Sequence, residues 1–239
     1  MRLHGGAKLW ASEIRSTFLV VRKVFFGFYR RLVRIKVFGS EFWRELHNKA
    51  SIVVTNHVTG VDSIVLQMAL RRRLFMLAAR RWFEGRFVNF FMTFFCDMVP
   101  VAMEKGARNL LGIKRTLALL GRNQSVGIYP SGQLDRDGSV SAINDGAAYI
   151  AVKSGKPIIP VYLKNLALGP KPFSRPWLNE AWEGLFSVIH NIFNRRIEAY
   201  IGEPIYPHRA RDMHEEIERL NTEIRRSFDE LQHRAQMTG

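Results

Sequence analysis

The sequence predicts an α/β fold: a mixed sheet flanked by helices, with an amphipathic helical segment at its N-terminus. Three observations carry this. Short β-branched apolar runs alternate with longer segments whose apolar residues recur every three to four positions. Turn signals separate them, as in Ser154-Gly155-Lys156-Pro157, where glycine and then proline stop a helix. The chain's 239 residues, 47% of them hydrophobic, suffice for one full core.

Strands are expected over residues 51–55, 74–78, 98–102, 125–129, 157–163 and 197–201. A helix is expected from Asp62 through Ile64, Leu66, Met68 and Leu70. A second runs over 106–122, with Leu110, Ile113, Leu117 and Leu120 at helical spacing, and a third over 144–154. The last, 210–235, carries Met213, Ile217, Leu220, Ile224, Phe228 and Leu231 on one face. No internal repeat, low-complexity tract or long linker interrupts the alternation. The aromatic-rich stretches 82–95 and 177–193 fit either core or a surface facing lipid or an acyl chain.

The N-terminal region is neither a secretory signal nor a membrane span. Its apolar run, 17–29, is short, contains Arg22 and Lys23, and precedes no small-residue cleavage site. Read as a helix, it aligns Phe18, Val21, Phe25, Phe28, Leu32 and Ile35 in a stripe, with Arg15, Arg22, Lys23, Arg30 and Arg34 off it. Ten Lys/Arg face three Glu up to residue 47, a net +7 of the chain's +15. The expected division is therefore 1–46, a basic amphipathic membrane-associating segment, and 47–239, an α/β domain. The competing reading is a helix that packs its stripe on the domain and solvates its charges. A pI near 10.5 calls for an anionic partner. No nucleic-acid-binding module is visible and the charge gathers on the amphipathic segment, so the expectation is an anionic membrane surface and no specific nucleic acid. Nothing in the sequence sets an oligomeric state. The single cysteine, Cys96, excludes an internal disulfide, fits a reducing compartment, and lies in an apolar context that reads as a buried structural thiol. No Cys/His spacing suits zinc, so no metal site is expected.

The chemistry centres on Asn56-His57-Val58-Thr59-Gly60-Val61-Asp62, directly after the first strand. His57 sits at a strand's carboxyl end, where α/β sheets place their sites. Asp62, in the first turn of the next helix, can reach back and fix one imidazole tautomer, making a better base toward a hydroxyl. The alternative is a surface histidine beside an acidic residue that merely suits a helix N-terminus.

Four blocks in order resemble the glycerolipid acyltransferase family, whose best-known members acylate lysophosphatidate. Asn56-His57-x4-Asp62 is similar to its catalytic block. Val99-Pro100-Val101-Ala102-Met103 stands in the place of Pro-Val-x-Arg, and Tyr129-Pro130-Ser131-Gly132 in that of Phe-Pro-Glu-Gly. Pro157-Ile158-Ile159-Pro160-Val161 resembles Val-Pro-x-x-Pro-Val. The resemblance implies a catalytic 47–239 domain in which His57 is the general base and Asp62 orients it. It implies acyl-CoA or acyl carrier protein as donor substrate, a lipid acceptor, no cofactor, and a place on the cytoplasmic face of a membrane. Asn56, Tyr129, Ser131 and Gly132 become substrate-binding candidates, with backbone N–H groups near Ser131 and Gly132 as oxyanion donors.

The departures fall on the acceptor side. Met103 replaces the second block's arginine, Ser131 the third block's glutamate, and Leu134 a following arginine. Lys105, Arg108 and Arg136 are the basic residues nearest those places, and Arg80 follows a strand that could face the site. The implied acceptor is lysophosphatidate-like or less phosphate-dependent, such as a glycolipid or amino-lipid. The competing function is a non-catalytic membrane-associated protein on the same scaffold.

Overall fold

The computed structural model describes residues 4–46, 48–83, 89–90, 92–93, 96–101, 107–166, 176–194, 196–208 and 212–238, with backbone alone for 4–16, 18, 81–82, 107–110, 176–181 and 194. Among these, seven strands form a sheet: β1 Lys36–Phe38, β2 Ile52–Thr55, β3 Phe75–Ala79, β4 Met98–Val101, β5 Val126–Ile128, β6 Ile158–Lys164 and β7 Glu198–Ile201. Their order is β1-β7-β6-β2-β5-β3-β4. All neighbours are parallel except β6 and β7, so the sheet is mixed, as expected. The six expected strands are present. β1 was not expected: residues 36–38 lie inside the segment read as helical, but they pair with β7 across the chain.

The helices are α1 His4–Val33, α2 Ser40–Arg44, α3 Asp62–Leu70, α4 Ala107–Gly121, α5 Gly146–Ser154, α6 Pro176–Asn194 and α7 Met213–Met237. They cover both faces of the sheet. Side chains alternate along β2: Ile52 and Val54 join the core with Leu120, Ala147 and Leu220 of α4, α5 and α7. Val53 joins the other, with Tyr29 and Val33 of α1 and Val65 of α3. Each fully buried aliphatic residue contributes about 1.5–3 kcal/mol. α7 starts at Asp212, whose side chain accepts from the His214 N–H at 2.8 Å. α5 ends where Gly155 turns left-handed, at φ 64°, as the glycine-proline signal predicts. In β5, Gly127 lies beside buried Met76 so closely that a Cβ would sit 2.0 Å from its Sδ.

The stripe expected on α1 is only partly packed on the body. Its buried face is Arg22, Tyr29 and Val33, while Val21 and Phe28 are exposed. The helix turns this way because Arg22 finds a partner in the body: it pairs with fully buried Asp97 and donates to Gln67 at 2.5 Å. Arg73 grips the same Asp97 carboxylate, with Nε 2.9 Å from each oxygen. Breaking such a buried network costs about 3–5 kcal/mol, so α1 is fixed in rotation as well as position. Arg30 to the Met68 carbonyl, at 2.7 Å, adds a second tie.

The chain passes from β2 through α3 to β3 on one side of β2, and from β5 through α5 to β6 on the other. The order therefore reverses around β2, and the carboxyl end beside such a switch point is where α/β sheets place their binding crevice.

Candidate active site

β2 ends at Thr55, and the chain leaves the sheet through Asn56 and His57. Asp62, the first residue of α3, is wholly buried yet heavily solvated by protein donors. Its carboxylate accepts from His57 Nδ1 at 3.0 Å, from the N–H of Val58 at 2.6 Å and of Thr59 at 2.9 Å, and from the Thr59 hydroxyl at 2.6 Å. These bonds make an ionised carboxylate tolerable without bulk water. They also fold the five-residue connection back on itself, which brings His57 and Asp62 together. With Nδ1–H donated to Asp62, the lone pair of the neutral imidazole lies on Nε2, on the ring edge turned away from the carboxylate.

A second strand end completes the arrangement. β5 pairs with β2 in register Val54 to Ile128, so the next residue, Tyr129, arrives beside the histidine. Its ring stacks on the imidazole with centroids 3.7 Å apart and planes 11° off parallel. Burial pushes the Tyr129 hydroxyl well above its usual range, with the Asp62 charge adding to the effect, so it stays protonated. Tyr129 thus forms one wall of the slot that holds the imidazole.

The other expected residues take varied places. Asn56 is buried, and its side chain is spent on the backbone: it accepts from Leu163 N–H at 2.8 Å and donates to Leu163 C=O at 2.9 Å and Gly138 C=O at 3.3 Å. It holds the site together and offers no group to a ligand. Gly132, at φ 68°, donates its N–H to the Tyr129 carbonyl at 3.0 Å. That turn bond occupies one of the expected oxyanion donors. The Ser131 hydroxyl donates to the Gln133 carbonyl at 3.0 Å, stiffening the same turn. Arg136 does reach the site's loop, but Glu183 of α6 holds its guanidinium at 3.0 Å. Arg80, itself exposed, opens a single turn after β3, two strands from β2, and is not brought to the pair. Lys105 lies outside the described residues, as does the side chain of Arg108.

Two contributors were missed in the sequence. Thr59 gives Asp62 both its N–H and its hydroxyl; its position three residues before the aspartate was the available signal. Asp135 donates its N–H to the His57 carbonyl at 2.6 Å and accepts from the Ser141 hydroxyl at 2.6 Å. No local pattern marks it. Cys96 is buried as expected, and burial pushes its thiol up to about 12, which leaves it inert as a nucleophile.

A family model described as Acyltransferase matches residues 34–164, more than half of the chain. The chain belongs to the acyltransferase family. The match begins before β1, so that strand belongs to the family region. Over 135 residues the chain is 24% identical to a 1-acyl-sn-glycerol-3-phosphate acyltransferase of Borreliella burgdorferi, an alignment covering 56% of this chain and 52% of that protein. The chain thus matches about half the length of that curated relative. The fold resembles the crystal structure of the 1-acyl-sn-glycerophosphate acyltransferase PlsC from Thermotoga maritima, with a TM-score of 0.62 at 20% identity, covering 96% of this chain and 88% of that one.

Proposed function

We propose that this acyltransferase moves a fatty acyl chain from a thioester, acyl-CoA or acyl carrier protein, to the hydroxyl of a lipid at a membrane surface. The observation that carries the reading is the His57–Asp62 pair at 3.0 Å at the carboxyl end of β2. His57 Nε2 takes the proton of the acceptor hydroxyl as its oxygen attacks the thioester carbonyl. The tetrahedral intermediate collapses, the C–S bond breaks, and the imidazolium returns the proton to the leaving thiolate. An ester and a free thiol result. Asp62 stabilises the imidazolium between the two transfers. Buried Cys96 offers no thiolate for a covalent route.

The acceptor is a lysophosphatidate-like lipid or one with less need of a phosphate contact. Two facts bear on this: Met103 and Leu134 stand where the family resemblance places arginines, and Arg136 is already matched by Glu183. Among the described residues no helix is long and apolar enough to cross a membrane. The reading is surface docking through α1, which turns Val20, Val24 and Phe28 outward, on the cytoplasmic face that the family resemblance implies.

The test is thioester consumption by the full chain, supplied with a lipid extract. His57→Ala should lower the rate by about a thousandfold with an unchanged melting temperature. Mass spectrometry of the lipids consumed by the wild type but not the variant identifies the acceptor. Equal rates in the two proteins would refute the proposal.

A further inference from the structure

Helix α6 packs Val188 and Ile192 on the core, yet its most buried positions are polar and its outermost are apolar. Its buried row is Glu183, Ser187 and Asn191, three polar residues at steps of four. Its outward row is Trp182, Leu185, Ile189 and Phe193, four large apolar residues at steps of three and four. Phe193 is 78% exposed. A helix on a water-facing surface has the opposite pattern, and eight of the thirteen large exposed apolar residues of the described chain lie on two helices.

The second helix is α1, which packs on α6: the Tyr29 hydroxyl donates to the Val188 carbonyl at 2.9 Å. Opposite its buried face, α1 turns Val20, Val21, Val24 and Phe28 outward, with Phe28 64% exposed. Lys23, Arg31 and Arg34 are exposed along the same helix and its end. An apolar face with a cationic margin, on a chain of net charge +15, complements an anionic bilayer.

We propose that α6 and α1 together form the bilayer-docking surface, and that α6 couples it to the active site. The coupling path is short: one ion pair, one peptide step and one hydrogen bond. Glu183, on the inner row of α6, holds Arg136 at 3.0 Å, and the adjacent Asp135 N–H binds the His57 carbonyl at 2.6 Å. A helix seated in the headgroup layer thereby sets the height of the loop that touches the base. The inference deepens the reading of acyl transfer to a lipid, but its test needs no turnover.

The experiment is flotation of the full chain with vesicles of phosphatidylcholine, alone or mixed with phosphatidylglycerol. Leu185→Glu with Phe193→Glu should weaken partition onto mixed vesicles by about tenfold or more, with an unchanged melting temperature. Val24→Glu with Phe28→Glu should do the same through α1. As a check that leaves charge unaltered, Phe193→Cys carrying a polarity-sensitive dye should shift to the blue on mixed vesicles; buried Cys96 does not compete for the label. The proposal is overturned if the α6 pair floats like wild type, if the label does not shift, or if the wild type ignores vesicles. It is equally overturned if α6 changes only convert a self-associated form to monomer in sedimentation. A wild type that floats, and whose α6 pair does not, but that consumes no thioester would sink the catalytic reading and leave the docking surface standing.

Discussion

Asp62→Asn is the sharpest test of the base role proposed for His57. The carboxylate now accepts from four donors: His57 Nδ1, the N–H groups of Val58 and Thr59, and the Thr59 hydroxyl. An asparagine has one acceptor oxygen and one NH2. If the oxygen keeps the Thr59 hydroxyl and N–H, the NH2 must face Val58 N–H and His57 Nδ1. The imidazole then turns its lone pair to the amide and carries its proton on Nε2, toward the acceptor. A base becomes a donor. The analogous change in a serine-protease triad lowers kcat by about ten thousandfold, and loss of general-base catalysis by about a hundred- to ten-thousandfold, so a fall in that range is expected here. Stability should fall too, because one buried N–H is left facing an amide donor, at about 1–3 kcal/mol. Steady-state thioester release gives the first number and denaturant unfolding the second. A variant that unfolds less readily than wild type, or that keeps a rate within threefold of it, would refute the argument that Asp62 sets the tautomer.

Three further outcomes are expected. The Arg219 guanidinium, with help from the His208 N–H, holds Glu216 down from its ordinary 4.5 to about 2. A depressed carboxylate stabilises above its unfolded value and loses that contribution as pH falls through the folded one, so wild type should lose stability between about pH 4.5 and 2. Glu216→Gln should be less stable at neutral pH and converge with wild type at the acid end, as followed by circular dichroism; parallel curves would contradict this. Gly127→Ala would set a methyl 2.0 Å from the Met76 sulfur inside a filled core, and the denaturation midpoint should report a loss of about 1–3 kcal/mol. Glu183→Gln frees the Arg136 charge; acceptor competition assays should then show a gain for phosphate-bearing lipids, whereas a loss would mean that Glu183 instead aims Arg136 at the phosphate.

The sheet was legible because six strands are β-branched or apolar runs that need no partner to be recognised. β1 was not, since Lys36-Val37-Phe38 is only three residues long and continues the spacing of the helix before it. What makes it a strand is β7, far along the chain. The same contrast runs through the site. His57 and Asp62 are five residues apart, and their pairing follows from a strand end meeting a helix start. Tyr129 stacks on His57 because two strands are neighbours, and Arg136 meets Glu183 because two elements pack. Neither contact has a local signature. The inward turn of Arg22 on α1 has a related cause: hydrophobic periodicity assigns arginine to water, and Asp97, buried 75 positions downstream, draws it inward.

Asn56 shows how His57 is allowed to leave the sheet. The β2–β6 ladder stops at Thr55 and Val161, and beyond it the main chain of β2 turns away. The Asn56 carboxamide then meets Leu163 as another peptide would, its oxygen taking the N–H and its NH2 giving to the C=O. A side chain thus stands in for one rung of backbone. β6 keeps its hydrogen bonding while β2 is released to carry a histidine out into the crevice. The geometry needs a carboxamide of this length: aspartate would lack the donor, and glutamine would overshoot by a methylene.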